Sequence, residues 1–535
     1  MSILFLASAN PPSVTGSMIG GLCAALIAAL WLVTFHKKFF ISITKTLTYN
    51  PYGIYTDFSE VFVTHFWFLV KGLFVFGNRE STRLEMEQRV TNRFLEHFLR
   101  DQPAELQKLH QHPESIGHNV LITHSCRSIF YYVIRSFLEQ AQRTKGEATI
   151  RIATATVHFG SFYRLLRGME KSLNCTIEFY EIDLKAEDWT LDQDSIDEQE
   201  LVKCDVIIAQ HLFGVPFQQE RMFALGRKHN IPIVEDCVQS GSLFGKYRGD
   251  QRSDVVIYSG GLDKTPSCFG AGFGYFRKSE HGMDLFDKCR KIHNDFPVDT
   301  WKARFIGCIN QTLHLMIGKN IFFINSLIGL LAYVYVSERG DYIKWYPMGL
   351  KIRKAKSFTP FQHAESGFCR RPSVYQLMSM MHGMSEKKKA RYADVAQNEV
   401  DGRDLLLKNI PSRFHAKLFP WWTKEVLQAH RDNGGISEFS WVFSTTKDEK
   451  ERMTLCQFMN DEFLVALINT TWEYHEFSKL PVGREINENL VYLPNINQLK
   501  PSEIVYVAKA LTKYCLSLEA KGQPAVAVGT AKKGN

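Results

Sequence analysis

From about Ile116 the chain alternates short apolar runs with segments of helical period, and this narrows its possible folds more than any other feature. Runs at 120–122, 149–155, 176–182, 204–209, 231–234 and 255–258 read as strands, with helices expected at 129–142, 161–173 and 218–229. Strands that take turns with helices make an α/β domain with a largely parallel sheet, whose ligands sit beyond the carboxyl ends of the strands. Ile231-Pro232-Ile233-Val234 delivers Glu235-Asp236 to such an end. Val255-Val256-Ile257-Tyr258 leads into Ser259-Gly260-Gly261-Leu262-Asp263-Lys264-Thr265, with a loose Gly270-Ala271-Gly272 tail. A lysine between glycines and a hydroxyl residue can serve as a Schiff-base nucleophile, because small neighbours let a cofactor approach the backbone. His124-Ser125-Cys126-Arg127-Ser128 stands at a strand-to-helix junction, where free N–H groups welcome a phosphate and where ordinary caps use the same residues.

With 535 residues, 45% apolar and 22% charged, the chain has room for two domains and a large core. Its eleven cysteines are scattered singly, without CxxC pairs or a zinc spacing, which points to free thiols in a reducing compartment. The net charge of +8 is modest, and no nucleic-acid motif accompanies the basic clusters at 351–356 and 387–389. Those clusters read either as solvated faces or as contacts for anionic lipid heads or a phosphorylated substrate.

Residues 17–35 form a charge-free apolar stretch of 19, about the length of a helix crossing a roughly 30 Å hydrocarbon core. His36-Lys37-Lys38 follow it, so the positive-inside rule puts the downstream chain in the cytoplasm. Residues 61–77 are apolar and aromatic but carry His65 and Lys71, which favours a helix lying in the membrane interface. A hydrophobic insertion at 301–365 reads as a re-entrant hairpin, a surface helix pair on lipid, or a soluble core or dimer interface. The expected organisation is a leader (1–16), a transmembrane helix (17–35), a juxtamembrane segment (36–84) and a large domain (85–300). After them come the insertion (301–365), a small domain (366–519) and a disordered tail (520–535).

His211-Leu212-Phe213-Gly214, a helix, then Ile231 through Gly241 resemble the core of the DegT/DnrJ/StrS-type sugar aminotransferases. That family has a V-H-L-Y-G segment, a V-I-E-D-A-A-Q-A strand and turn, and S-F-x-x-x-K with a glycine-rich tail. Ser259 to Lys264 stand at the spacing of the last motif, and His124 to Val133 align with S-G-T-A-A-L-H-L-A-L. Arg370-Arg371-Pro372-Ser373-Val374-Tyr375-Gln376-Leu377 resemble the point where the small domain resumes after the insertion.

The resemblance implies a fold-type-I α/β transferase using pyridoxal 5'-phosphate, with a large domain, a small C-terminal α/β domain and a homodimeric assembly. It implies Lys264 as the Schiff-base lysine and proton shuttle, Asp236 as partner of the pyridine nitrogen, and Gln239 near the ring hydroxyl. Ser125, Cys126 and Ser259 would hold the phosphate. The ring-stacking aromatic aligns with Val157, leaving His158 or Phe159 as the substitute. Gly260-Gly261 replace a bulky pair, which implies a wider pocket. The expected reaction passes an amino group from an amino acid donor to a keto group on a sugar or lipid-linked acceptor. Two alternatives stand beside it. One is an acyl-CoA:amino acid condensing enzyme of the sphingolipid type, against which Gln239 speaks; the other is a non-catalytic membrane scaffold.

Overall fold

Alternate residues of a strand face opposite sides of its sheet, so parity along the chain decides which layer each side chain meets. The computed structural model describes residues 66–74, 80–100, 119–211, 219–240, 243–261, 264–268, 270–300, 369–419 and 422–432. Beyond these it describes 442–444, 455, 458–459, 468–469, 472–474, 480–492 and 499–520. Among the described residues, helices α1 (Phe66–Phe74) and α2 (Glu80–Leu99) precede strand β1 (Val120–Thr123). Then follow α3 (Cys126–Lys145), β2 (Thr149–Ala155), β3 (Val157–Phe159), α4 (Gly160–Leu173), β4 (Thr176–Ile182), β5 (Val206–Gln210) and α5 (Glu220–Lys228). The large domain ends with β6 (Ile233–Asp236), β7 (Val255–Ser259), β8 (Gly272–Phe276) and α6 (Glu280–Asp295).

Seven of these strands form one sheet in the order β1-β8-β7-β6-β5-β2-β4. The contacts from β4 through β2, β5 and β6 to β7 are parallel, whereas β7–β8 and β8–β1 are antiparallel. The sheet is therefore largely parallel, as expected, with one reversed strand: the glycine-rich tail after Lys264 turns back and pairs as β8.

Parity runs through the sheet. On β5, Val206 and Ile208 join the core under α3, α4 and α6, while Ile207 and Ala209 join the core shared with the C-terminal helices. Burying one such Val or Ile is worth about 1.5–3 kcal/mol, so a one-residue slip would forfeit both cores at once. On β7, Val255 and Ile257 face α3, which places Ser259 on the same side. On β6, Val234 faces α3 and Ile233 does not, so Asp236 turns toward α3 and Glu235 away from it.

The C-terminal part contributes α7 (Val374–Gly383), α8 (Glu386–Lys408), α9 (Lys424–Asp432), β9 (Val442–Ser444), β10 (Ile468–Asn469) and β11 (Trp472–Tyr474). It closes with α10 (Pro481–Asn489), β12 (Leu490–Tyr492) and α11 (Pro501–Ala520). Strands β10, β12 and β9 make a small antiparallel sheet. Strand β11 instead pairs with β3 of the large domain, bringing residue 473 opposite residue 158. Asp183, at the end of β4, accepts from the amides of Val482 and Gly483 and so caps α10.

The expected membrane span at 17–35, the insertion at 301–365 and the tail at 521–535 lie outside the described residues. Among the described residues no helix is long and apolar enough to cross a membrane. Part of the expected interfacial stretch is α1, whose Leu69 is buried and whose Phe68 meets His382 of α7 edge-on at 5.7 Å. Trp67 stays 52% exposed, with the Lys71 ammonium 5.4 Å from its ring centre. The eight described cysteines are all free thiols.

Candidate active site

The carboxyl ends of β6 and β7 and the amino end of α3 meet on one side of the sheet. Ser125 caps α3: its side chain accepts from the Arg127 amide at 3.4 Å, and the helix ends at Gly146 in the left-handed conformation. Cys126 opens the helix. The Ser259 side chain and the charges of Asp236 and Lys264 all act on its thiol. Burial pushes that thiol above its ordinary range; Asp236 adds to the push, while Arg127, Ser259 and Lys264 oppose it. Cys126 thus reports that Ser259, Lys264 and Asp236 converge, although 138 positions separate Cys126 from Lys264 in the chain.

Asp236, Gln239, Ser259 and Lys264 are between 7% and 9% exposed, so polar groups line a nearly closed recess. The Asp236 Oδ1 accepts from the Val238 amide at 3.0 Å, which leaves Oδ2 facing His158 Nε2 at 3.3 Å. His158 is 4% exposed, and neither ring nitrogen has a hydrogen-bond partner among the described residues. One face of its ring stacks on Phe162 at 3.9 Å. Of the two candidates for the stacking residue, His158 is therefore placed beside Asp236; Phe159 is described by its backbone pairing with Trp472.

The glycines of the lysine loop serve close packing. A Cβ on Gly260 would sit 2.8 Å from that of Ala271 and 3.0 Å from that of Cys268, so its absence lets the loop fold onto its own tail. The expectation that Gly260 widens the pocket is corrected at this position: the vacated volume is already filled. Gly260 O accepts from both Cys268 N and Gly270 N at 3.0 Å, which closes the loop behind Lys264. Gly272 lets β8 pass the helix start, where a Cβ would come within 2.6 Å of the Cys126 nitrogen.

On the far side of β6 a second cluster has no share in this recess. His211 Nε2 donates to Glu235 Oε1 at 2.7 Å, Tyr247 donates to the same oxygen, and the Asp250 amide donates to Oε2 at 2.7 Å. With Cys237 this group gathers ligand atoms within 4.8 Å of one another. Hydrogen bonds already account for both Glu235 oxygens, and burial holds the Cys237 thiol and Tyr247 hydroxyl well above their usual ranges, hence protonated. The sequence places His211 and Glu235 at strand ends, but their pairing needs two strands in register and is not readable from either alone.

The donor set fits pyridoxal 5'-phosphate. A single amine and a carboxylate share the recess, hydroxyl and amide groups stand at a helix N-terminus, and a buried imidazole has unused hydrogen-bonding capacity.

Residues 172–259 match the model of the DegT/DnrJ/EryC1/StrS aminotransferase family. The GDP-perosamine synthase of Escherichia coli O157:H7 is 19% identical over 342 residues, covering 62% of this chain and 72% of the relative. Among solved structures, Spr1654 of Streptococcus pneumoniae, described as a sugar aminotransferase, is similar in its PMP-form with a TM-score of 0.50 and 13% identity, over 85% of this chain and 97% of that one. Its PLP-form has a TM-score of 0.50 and 12% identity, over 85% and 96%. The matched motif region makes the chain similar to the DegT/DnrJ/EryC1/StrS aminotransferase family, and its fold is that of the Spr1654 structures.

Proposed function

We propose that this protein is a membrane-associated aminotransferase that moves an amino group from an amino acid donor to the keto group of a sugar. The observation that carries the reading is the meeting of Asp236 and Ser259, at the carboxyl ends of β6 and β7, with the amino end of α3 and the lysine loop on one side of the sheet. Bound there, pyridoxal phosphate supplies an electrophilic carbonyl and an electron-accepting ring. The Lys264 amine would hold the cofactor covalently and would take up and return the proton at the α-carbon of the bound substrate. Asp236 would hold a proton on the ring nitrogen, Gln239 would orient the ring hydroxyl, and Ser125, Cys126 and Ser259 would receive the phosphate. His158, 3.3 Å from the Asp236 carboxylate, would steady it and would be the aromatic side chain for the ring.

The acceptor proposed is a nucleotide-linked keto sugar, in keeping with the relative named for GDP-perosamine. A lipid-linked keto acceptor is the variant favoured by the apolar sequence at 17–35 and 301–365 and by the exposed Trp67 of α1. The membrane attachment, the cytoplasmic side and a homodimer belong to this same proposal. In its test, purified protein receives pyridoxal phosphate, an amino donor and candidate keto sugars, with visible absorbance and product mass recorded. A lysine-dependent visible band that Lys264→Ala abolishes, together with an amino-sugar product, supports the reading. Absence of the band from the wild type, or release of CoA from acyl-CoA and serine with no amino-sugar formed, overturns it.

A further inference from the structure

Two segments must hold still for the recess to keep its shape, the α3 entry and the glycine tail of the lysine loop, and one side chain touches both. Gln376 lies in the first turn of α7, where the Ser373 hydroxyl accepts from its amide N–H at 3.4 Å. Its side chain is 1% exposed. Nε2 donates to the carbonyl of His124 at 3.0 Å and also to the carbonyl of Gly270. With both amide hydrogens committed, Oε1 faces His124 Nδ1 at 3.2 Å, so that nitrogen carries the proton and donates. A primary amide has two donors and one acceptor group, and here each is used.

The consequence follows from peptide geometry. In a trans peptide the C=O and the next N–H point in opposite directions. Drawing the His124 carbonyl toward α7 turns the Ser125 N–H away from it, toward the mouth of α3. The Gly270 carbonyl is drawn to the same amide, with Gly270 at φ +100°, a conformation that glycine adopts without strain. Gly270 N in turn bonds Gly260 O, so the lysine loop is anchored through the same contact. Thr123 strengthens the join: its hydroxyl donates to the Ser125 carbonyl at 2.8 Å and lies 3.3 Å from the Gly272 carbonyl.

We infer that Gln376 is a positioning residue for the phosphate end of the cofactor: it aims the α3 entry and registers it against the lysine loop. The inference rests on the proposed cofactor reading and goes beyond it, since Gln376 touches neither Lys264 nor Asp236 and belongs to the C-terminal part of the chain. It also gives the His124-Ser125-Cys126 departure from S-G-T a physical sense. The position that lost a small residue gained an imidazole that the amide can grip.

The test compares pyridoxal 5'-phosphate with pyridoxal, which lacks the phosphate, by equilibrium titration of visible absorbance on the full chain. Gln376→Met keeps the size and removes all three hydrogen bonds; Gln376→Asn keeps the amide but is too short to span both carbonyls. The expected result is at least a tenfold fall in the preference for pyridoxal phosphate over pyridoxal in both variants, with the cofactor-free protein still unfolding cooperatively. A preference equal to that of the wild type in either folded variant, or equal weakening of both ligands, overturns the inference and leaves the cofactor reading intact. A wild type that binds neither ligand overturns the cofactor reading itself, and this inference with it.

Discussion

Glu235 and Asp236 are neighbours on one strand, yet the sheet sends them to opposite environments. Glu235 is fully buried and both its oxygens are occupied by donors from His211, Tyr247 and Asp250. Asp236 has one oxygen held by a backbone amide and the other beside an imidazole that makes no directed hydrogen bond. Saturation is what a structural carboxylate needs, because a buried acceptor without donors is costly. Incomplete saturation is what a ligand-holding carboxylate needs, because a partner must still have a place to bind. The strand's period of two converts adjacent acids in the sequence into one of each kind.

The comparison is sharpest where stability is measured. Glu235→Gln puts an amide where three donors converge, and the cost expected for breaking such a buried group is about 3–5 kcal/mol. Chemical denaturation of the cofactor-free protein reads this directly, and a loss below about 1 kcal/mol would remove the distinction between the two acids. The second effect falls on activity. Asp236→Asn is expected to leave cofactor-free stability within about 1 kcal/mol of the wild type while lowering turnover by at least about 100-fold. Single-turnover assays with saturating donor check it, and a variant equally unstable and equally slow would place Asp236 with the structural acids.

Much of this strand was legible beforehand. The apolar run, the Pro232 entry and the acidic pair mark β6 and its carboxyl end, and Lys264 follows at a spacing that a short strand and loop require. What was not legible depended on distance in the chain. Strand β8 is spelled Gly-Phe-Gly-Tyr-Phe and reads as the end of a glycine-rich loop; its pairing with β1 comes from residues that stand far upstream, Thr123 opposite Gly272. Strand β3 is three residues long, too short for a period to show, and its partner β11 lies over 300 positions away. Gln376 belonged to a segment read only as the start of the small domain. No local pattern could announce its grip on residues 124 and 270. The helices fared better, since α3, α4 and α11 carry their apolar stripe within themselves, and α3 its caps as well.

His158 offers a smaller lever on the same contrast, because it combines stacking with a polar edge. His158→Phe preserves an aromatic face against Phe162, a pair worth about 0.5–1.5 kcal/mol, and deletes the contact with Asp236. His158→Gln keeps a polar group near Asp236 and deletes the stack. If the imidazole edge steadies Asp236, the phenylalanine variant binds pyridoxal phosphate about tenfold more weakly at nearly unchanged stability, a difference of about 1.4 kcal/mol. Unchanged affinity in that variant and a large loss in the glutamine variant would reassign His158 to stacking alone.

A buried histidine away from the recess supplies the last test, and the sign of its effect separates a structural imidazole from a functional one. His293 of α6 is 2% exposed and its Nδ1 lies 3.4 Å from the Tyr132 hydroxyl. Burial lowers its pKa to about 3, with the positive charges of Arg83, Arg371 and Arg290 adding to the effect. In the unfolded chain it titrates near the ordinary histidine value of about 6.5, so between about 6.5 and 3 the unfolded state binds a proton that the folded state refuses. Stability is therefore complete above that window and falls as the pH drops through it, by about 1.4 kcal/mol per pH unit well below the unfolded value. His97, also lowered chiefly by burial, adds a slope of the same sign. His293→Phe keeps the ring size and has nothing to protonate. Urea titrations from neutral pH down to about pH 5 should show the wild-type slope reduced by close to one proton's worth in that variant. An identical slope in both proteins would mean that the folded state admits the proton after all, and that the packing of α6 against α3 is looser than its contacts imply.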